Sequence, residues 1–106
     1  GGEHMMLCVA RALMSHPRIM LLDEPSLGLA PKVIDYLYQK IAEINSSGSS
    51  MVIVEQNIHK ALNAAHYVYV LSLGRKRFEG RPDTLPTDDR LKDLYFGDSW
   101  DEFKEF

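Results

Sequence analysis

Residues 19–22, Ile-Met-Leu-Leu, run without a break into two carboxylates, Asp23 and Glu24, and Pro25 closes the segment. No other feature constrains the fold of this chain as tightly. A short apolar run bounded by a proline reads as a strand buried on both faces. Two adjacent acids do not continue such a strand into a core, because an unpaired buried charge is costly. They belong at its open end, facing water, a cation or a ligand. In a parallel α/β sheet that end is where ligands bind. One carboxylate there can hold Mg2+, directly or through water, while its neighbour orients or deprotonates an attacking water. The pair points to a nucleoside-triphosphate site.

The surrounding periodicity supplies a frame for this strand. The spacing predicts a helix over 3–16, with Met6, Ala10, Leu13 and Met14 on one face and Pro17 stopping it. Residues 26–29 form a loop, and Pro31 suits the first turn of a second helix. Val33, Ile34, Leu37, Ile41 and Ile44 recur along it at helical spacing. A Ser/Gly-rich break over 45–50 leads into a second apolar strand at 51–54. Asn57 is placed to cap a short amphipathic helix over 58–65. Tyr67 to Leu71, a turn at Gly74 and residues 76–79 read as a hairpin, with Tyr67 and Tyr69 packing one sheet face. Residues 80–86 read as loop or one helical turn. Thr87 begins a last helix that Gly97 ends, and an acidic tail with aromatics follows over 98–106. Strands alternating with helices imply a parallel α/β sheet. Two parallel strands make a poor sheet, so the chain reads as part of something larger.

Composition excludes several alternatives. With 106 residues the chain is long enough for one small domain with a core, and 45% apolar and 25% charged content is ordinary for a globular protein. A net charge of −3 gives the whole chain no electrostatic case for nucleic acid or an anionic membrane. Its apolar runs are too short to cross a bilayer, and its start does not resemble a signal peptide. Cys8 is the only cysteine, so no internal disulfide forms; it reads as a small buried hydrophobe without a nearby base. His4, His16, His59 and His66 show no metal-ligand spacing. Arg11 reads as a structural ion-pair donor under the sheet.

Taken together in order, Gly1-Gly2-Glu3, Ala10-Arg11-Ala12-Leu13, residues 19–26 and the Gly74 to Gly80 segment resemble the second half of an ABC-transporter ATP-binding cassette. The resemblance covers about residues 1–97. Residues 24–31, Val54-Glu55-Gln56-Asn57 and Leu94-Tyr95-Phe96-Gly97 look most like the branched-chain amino acid importer ATPases. What it implies is an α/β fold: the C-terminal half of a P-loop NTPase cassette, with a short parallel sheet and a β-hairpin flanked by helices. Asp23 would be the Walker B aspartate that holds Mg2+ through water. Glu24 would be the catalytic base, its aim helped by Pro25, which favours an extended backbone at the preceding residue. Gly1, Gly2 and Glu3 would be a remnant of the signature loop, facing the nucleotide of the opposite cassette in a dimer. Ser26 and Gly28 would belong to the D-loop at the dimer interface, although Gly28 reads equally well as a plain turn residue. Leu29 stands where the wider family commonly has an aspartate. Gln56 would occupy the switch-histidine position, able to hydrogen-bond phosphate or water but not to carry imidazole proton chemistry.

The resemblance also implies ATP and Mg2+ as ligands, a second cassette subunit and transmembrane permease subunits as partners, and a cytoplasmic place on the inner face of the cell membrane. No Gly-rich loop ending in Gly-Lys-Ser/Thr occurs in the sequence, and such a loop supplies the phosphate cradle. The expectation is therefore a C-terminal piece that has no ATPase activity by itself and associates through an open sheet edge. Two alternatives stand beside the importer reading: a non-catalytic interaction module, and a cassette of another type, such as lipid export or DNA repair.

Overall fold

The computed structural model describes residues 2–85. The described residues fall into two compact units, residues 2–64 and residues 65–85. In the first unit, helix α1 (Gly2–Leu13) leads to strand β1 (Ile19–Asp23), helix α2 (Pro31–Ser46), strand β2 (Ser50–Val54) and helix α3 (Ile58–Ala64). β1 and β2 pair in parallel, from Ile19 opposite Ser50 to Asp23 opposite Val54, with α2 as the crossover. This is the expected α/β arrangement. Pro31 at the first helical position starts α2, where its missing N–H costs nothing.

The core lies on one face of this sheet. Val9 of α1, Met20 of β1, and Leu37, Tyr38 and Ile41 of α2 form its buried cluster. Met51 and Ile53 of β2 pack against it from the same side. Both strands alternate, so their other residues point away. There Ile19 is 55% exposed, Leu21 72%, Val52 50% and Val54 57%. The expectation of strands buried on both faces is thus corrected: α1 and α2 gather on one face, and no element of the first unit covers the other.

α1 ends three residues earlier than its periodicity suggests. The Met14 N–H is shared between the Ala10 and Arg11 carbonyls, and His16 takes a left-handed backbone (φ 50°) before Pro17. The buried position is Val9, flanked by half-buried Met5, Met6 and Leu13, while Ala10 and Met14 lie exposed. Arg11 is also exposed and makes no ion pair among the described residues. Cys8 is exposed, and its Sγ lies 3.8 Å from His4 Nε2, one helical turn back. These correct the readings of Arg11 as an ion-pair donor and of Cys8 as a buried thiol without a neighbouring base.

The second unit holds strands β3 (Val68–Ser72) and β4 (Arg75–Gly80), paired antiparallel, and a 3-10 turn at Pro82–Thr84. Leu73 and Gly74 join the strands with φ values of 51° and 72°, the left-handed pair of a two-residue type I′ hairpin. A bulge between Val70 and Leu71 shifts the register. The Tyr67 and Tyr69 rings meet edge to face at 5.3 Å, on a side of the strand that stays open. The helix expected after Thr87 and the tail over 98–106 lie outside the described residues. Among the described residues, no helix is long and apolar enough to cross a membrane.

Candidate functional site

The two acids stand where the strand ends. Asp23 is the last residue of β1 and is exposed. Glu24 follows, half-buried, and its N–H continues the parallel ladder by donating to the Val54 carbonyl at 2.7 Å. The chain then reverses in a turn closed by the Leu27 N–H on the Glu24 carbonyl at 3.1 Å. Pro25, at the second position of that turn, is fully buried. Glu24 itself adopts φ 48°, so the expectation of an extended backbone before Pro25 is corrected. A left-handed non-glycine residue costs on the order of 1 kcal/mol and persists where its surroundings over-determine it.

Those surroundings include Gln56. Its Nε2 donates to Glu24 Oε1 at 2.6 Å, across 32 residues of sequence. Register explains the meeting. Asp23 and Val54 are paired partners, so the first residues past each strand, Glu24 and Glu55-Gln56, emerge side by side at the same end of the sheet. Asn57 caps α3 as expected, its Oδ1 accepting from the Lys60 N–H at 3.2 Å.

Glu55 and Tyr38 complete the cluster, and nothing in the sequence reading singled them out as a pair. The Tyr38 hydroxyl donates to Glu55 Oε2 at 2.7 Å. Glu55 Oε1 accepts from the Gln56 N–H at 3.1 Å and the Asn57 N–H at 3.4 Å. The buried Ser26 side chain also favours the ionised form of this carboxylate. Burial opposes ionisation of Glu55, but Tyr38, Ser26 and the two backbone amides outweigh it and hold its carboxyl below the ordinary range. Burial first, then the hydrogen bond and the charge of Glu55, push the Tyr38 phenol above its ordinary range. One signal was available: Tyr38 shares the buried face of α2 with Leu37 and Ile41, and a buried tyrosine hydroxyl needs a partner.

The remaining candidates lie apart from this cluster or serve as packing. Gly1 lies outside the described residues. Gly2 opens α1, where a Cβ would overlap Val33 Cγ1, so close helix approach alone requires a glycine there. Glu3 is exposed in the first turn of α1. Gly28 takes φ 74° in open space, as a turn residue does. Leu29 packs against the core, which accounts physically for an apolar side chain at that position. His59 is exposed.

Mg2+ takes one or two carboxylates and completes its shell with water and phosphate oxygens. An exposed Asp23 beside Glu24 fits that donor set. Among the described residues no group of three or more His, Cys, Asp or Glu side chains forms a self-sufficient metal cage.

No protein-family model matches the chain. The branched-chain amino acid transport ATP-binding protein BraG of Pseudomonas aeruginosa is 43% identical over 97 residues, covering 92% of this chain. A solved ATP-binding cassette of an ABC transporter, in its ADP conformation, superposes with a TM-score of 0.78 at 27% identity, covering 92% of this chain and 40% of the other. The chain matches part of an ABC-transporter ATP-binding cassette in sequence and in fold. The lipopolysaccharide export ATP-binding protein LptB of Escherichia coli is 30% identical over 100 residues, covering 94% of this chain. A metal-chelate type ABC transporter shares the fold with a TM-score of 0.80 at 21% identity, over 90% of this chain and 38% of that one. The chain spans 42% of the length of BraG and of LptB.

Proposed function

We infer that the chain carries the hydrolytic part of an ATP-binding subunit that powers amino-acid import, of the branched-chain type. The observation that carries this reading is the 2.6 Å hydrogen bond from Gln56 to Glu24 at the sheet's carboxyl end. It fixes one carboxylate oxygen of Glu24 and leaves the other to accept a proton from an attacking water. The Gln56 side-chain oxygen stays available to the same water. Asp23 would hold Mg2+ through water, and the ion would offset charge on the phosphates. Gly2 and Glu3 at the start of α1, with Gly1 before them, face the nucleotide of an opposing cassette, and Ser26 and Gly28 lie in the loop that meets it. Supporting the importer assignment is the identity to BraG, 43%, against 30% for LptB. Its partners are a second cassette and permease subunits, which hold it at the inner face of the cell membrane.

Hydrolysis tests the reading in two settings. The chain as it stands lacks a phosphate cradle, so no Mg·ATP turnover is expected from it; turnover that disappears in Glu24→Gln would overturn that expectation. Within a cassette that supplies the cradle, Glu24→Gln lowers kcat about 100-fold or more, the range of a general base. Unchanged turnover there would remove Glu24 from the reaction. Stimulation of that cassette by a branched-chain amino acid permease, and not by a lipid exporter, would fix the import type.

A further inference from the structure

We propose that Glu55 is a positioning residue, whose carboxylate clamps the turn between β2 and α3 onto α2 and so aims Gln56 at Glu24. The inference rests on the reading of Glu24 and Gln56 as the hydrolytic pair. Its basis is a division of labour between the two carboxylate oxygens. Oε2 takes the Tyr38 hydroxyl at 2.7 Å, and Oε1 takes the Gln56 and Asn57 amides at 3.1 and 3.4 Å. The described structure gives those two amides no backbone acceptor. The side chain therefore sets the path of the turn in the way a carbonyl ladder would elsewhere.

The anchor end is rigid. Tyr38 is 8% exposed and sits between fully buried Leu37 and the core residue Ile41, so its phenol cannot swing. The working end is loose by comparison: Gln56 is exposed, and among the described residues its side chain has only Glu24 as a hydrogen-bond partner. One carboxylate thus joins α2 to the turn that carries Gln56. A simple capping role for Glu55 explains less, because Asn57 already caps α3 and capping requires no bond to α2.

The test reads the Gln56 side-chain amide by NMR in the full chain, with Glu24→Ala marking the position of its unbonded signals. Tyr38→Phe removes the anchor without touching the turn. It is expected to cut the ratio of bonded to unbonded Gln56 about fivefold, the effect of one net hydrogen bond, while the Leu37 and Ile41 methyl signals stay in place. Glu55→Gln, which keeps the shape and one acceptor oxygen, is expected to fall between Tyr38→Phe and the unaltered chain. Gln56 signals that hold their position in both variants, with Glu24→Ala displaced, would overturn the clamp. Signals that Glu24→Ala does not displace would overturn it too, since there would be no bond to aim. Retained hydrolysis in a Glu24→Gln cassette is a separate result, which removes the pair's chemistry and leaves the clamp intact.

Discussion

At Glu24 the backbone is left-handed, one N–H is spent on Val54 and one carboxylate oxygen on Gln56. That concentration of constraint on one acid, next to a second network through Glu55 and Tyr38, makes the cluster sensitive to pH in two windows. Tyr38 has a folded value above its ordinary 10.0, so its contribution to stability is full below that pH and is lost as pH rises through the folded value. Glu55 is the reverse: with a folded value below the ordinary 4.5, its contribution is full above that pH and is lost as pH falls through the folded value. Urea midpoints across pH should form a plateau that falls at both ends. Glu55→Gln should flatten the acid fall. Tyr38→Phe should reduce the alkaline one, part of which remains with Tyr67, raised by its bond to Glu79. An alkaline limb identical in Tyr38→Phe would contradict this. The two acids were legible in the sequence because they follow an apolar run, whose end fixes the sheet edge; Gln56 stood out only through the family resemblance. The pairing of Tyr38 with Glu55 was not legible, since it joins residues 17 apart through the rotational setting of α2 against β2.

Among the elements, α2 organises the first unit. It supplies three of the five buried core residues, and Leu37 has no exposure at all. Replacing Leu37 by alanine should cost about 2–5 kcal/mol, read as a lowered denaturant midpoint with unchanged slope. A loss below about 1 kcal/mol would mean the site collapses around the cavity, contrary to its close packing. Helical spacing made α2 readable, with Val33 to Ile44 falling on one side. It made α1 only half readable. Pro17 marked a limit but not the end: the helix stops at Leu13, before the left-handed His16, and its buried position is Val9. An apolar period alone cannot register a chain reversal three residues beyond it. The type I′ turn at Leu73-Gly74 shows the opposite case, in which a single glycine announced both hairpin and position.

For the whole molecule, the decisive feature is the open sheet face of Ile19, Leu21, Val52 and Val54. Sequence could not separate the covered from the bare side, because both are apolar in both strands. We propose that this face drives self-association of the chain and is the surface that the rest of a cassette covers. Sedimentation should show concentration-dependent oligomers that Leu21→Lys disperses to monomer; a monomer before the substitution would count against it. The same bare face has a calorimetric consequence. Apolar surface already wet in the native monomer adds nothing to the heat capacity gained when that monomer, dispersed by Leu21→Lys, melts. The increment should fall below the ~1.2–1.5 kcal/mol/K usual for 100 residues, and the stability curve should be correspondingly flat, so that cooling weakens this chain less than it weakens a fully covered domain of the same length.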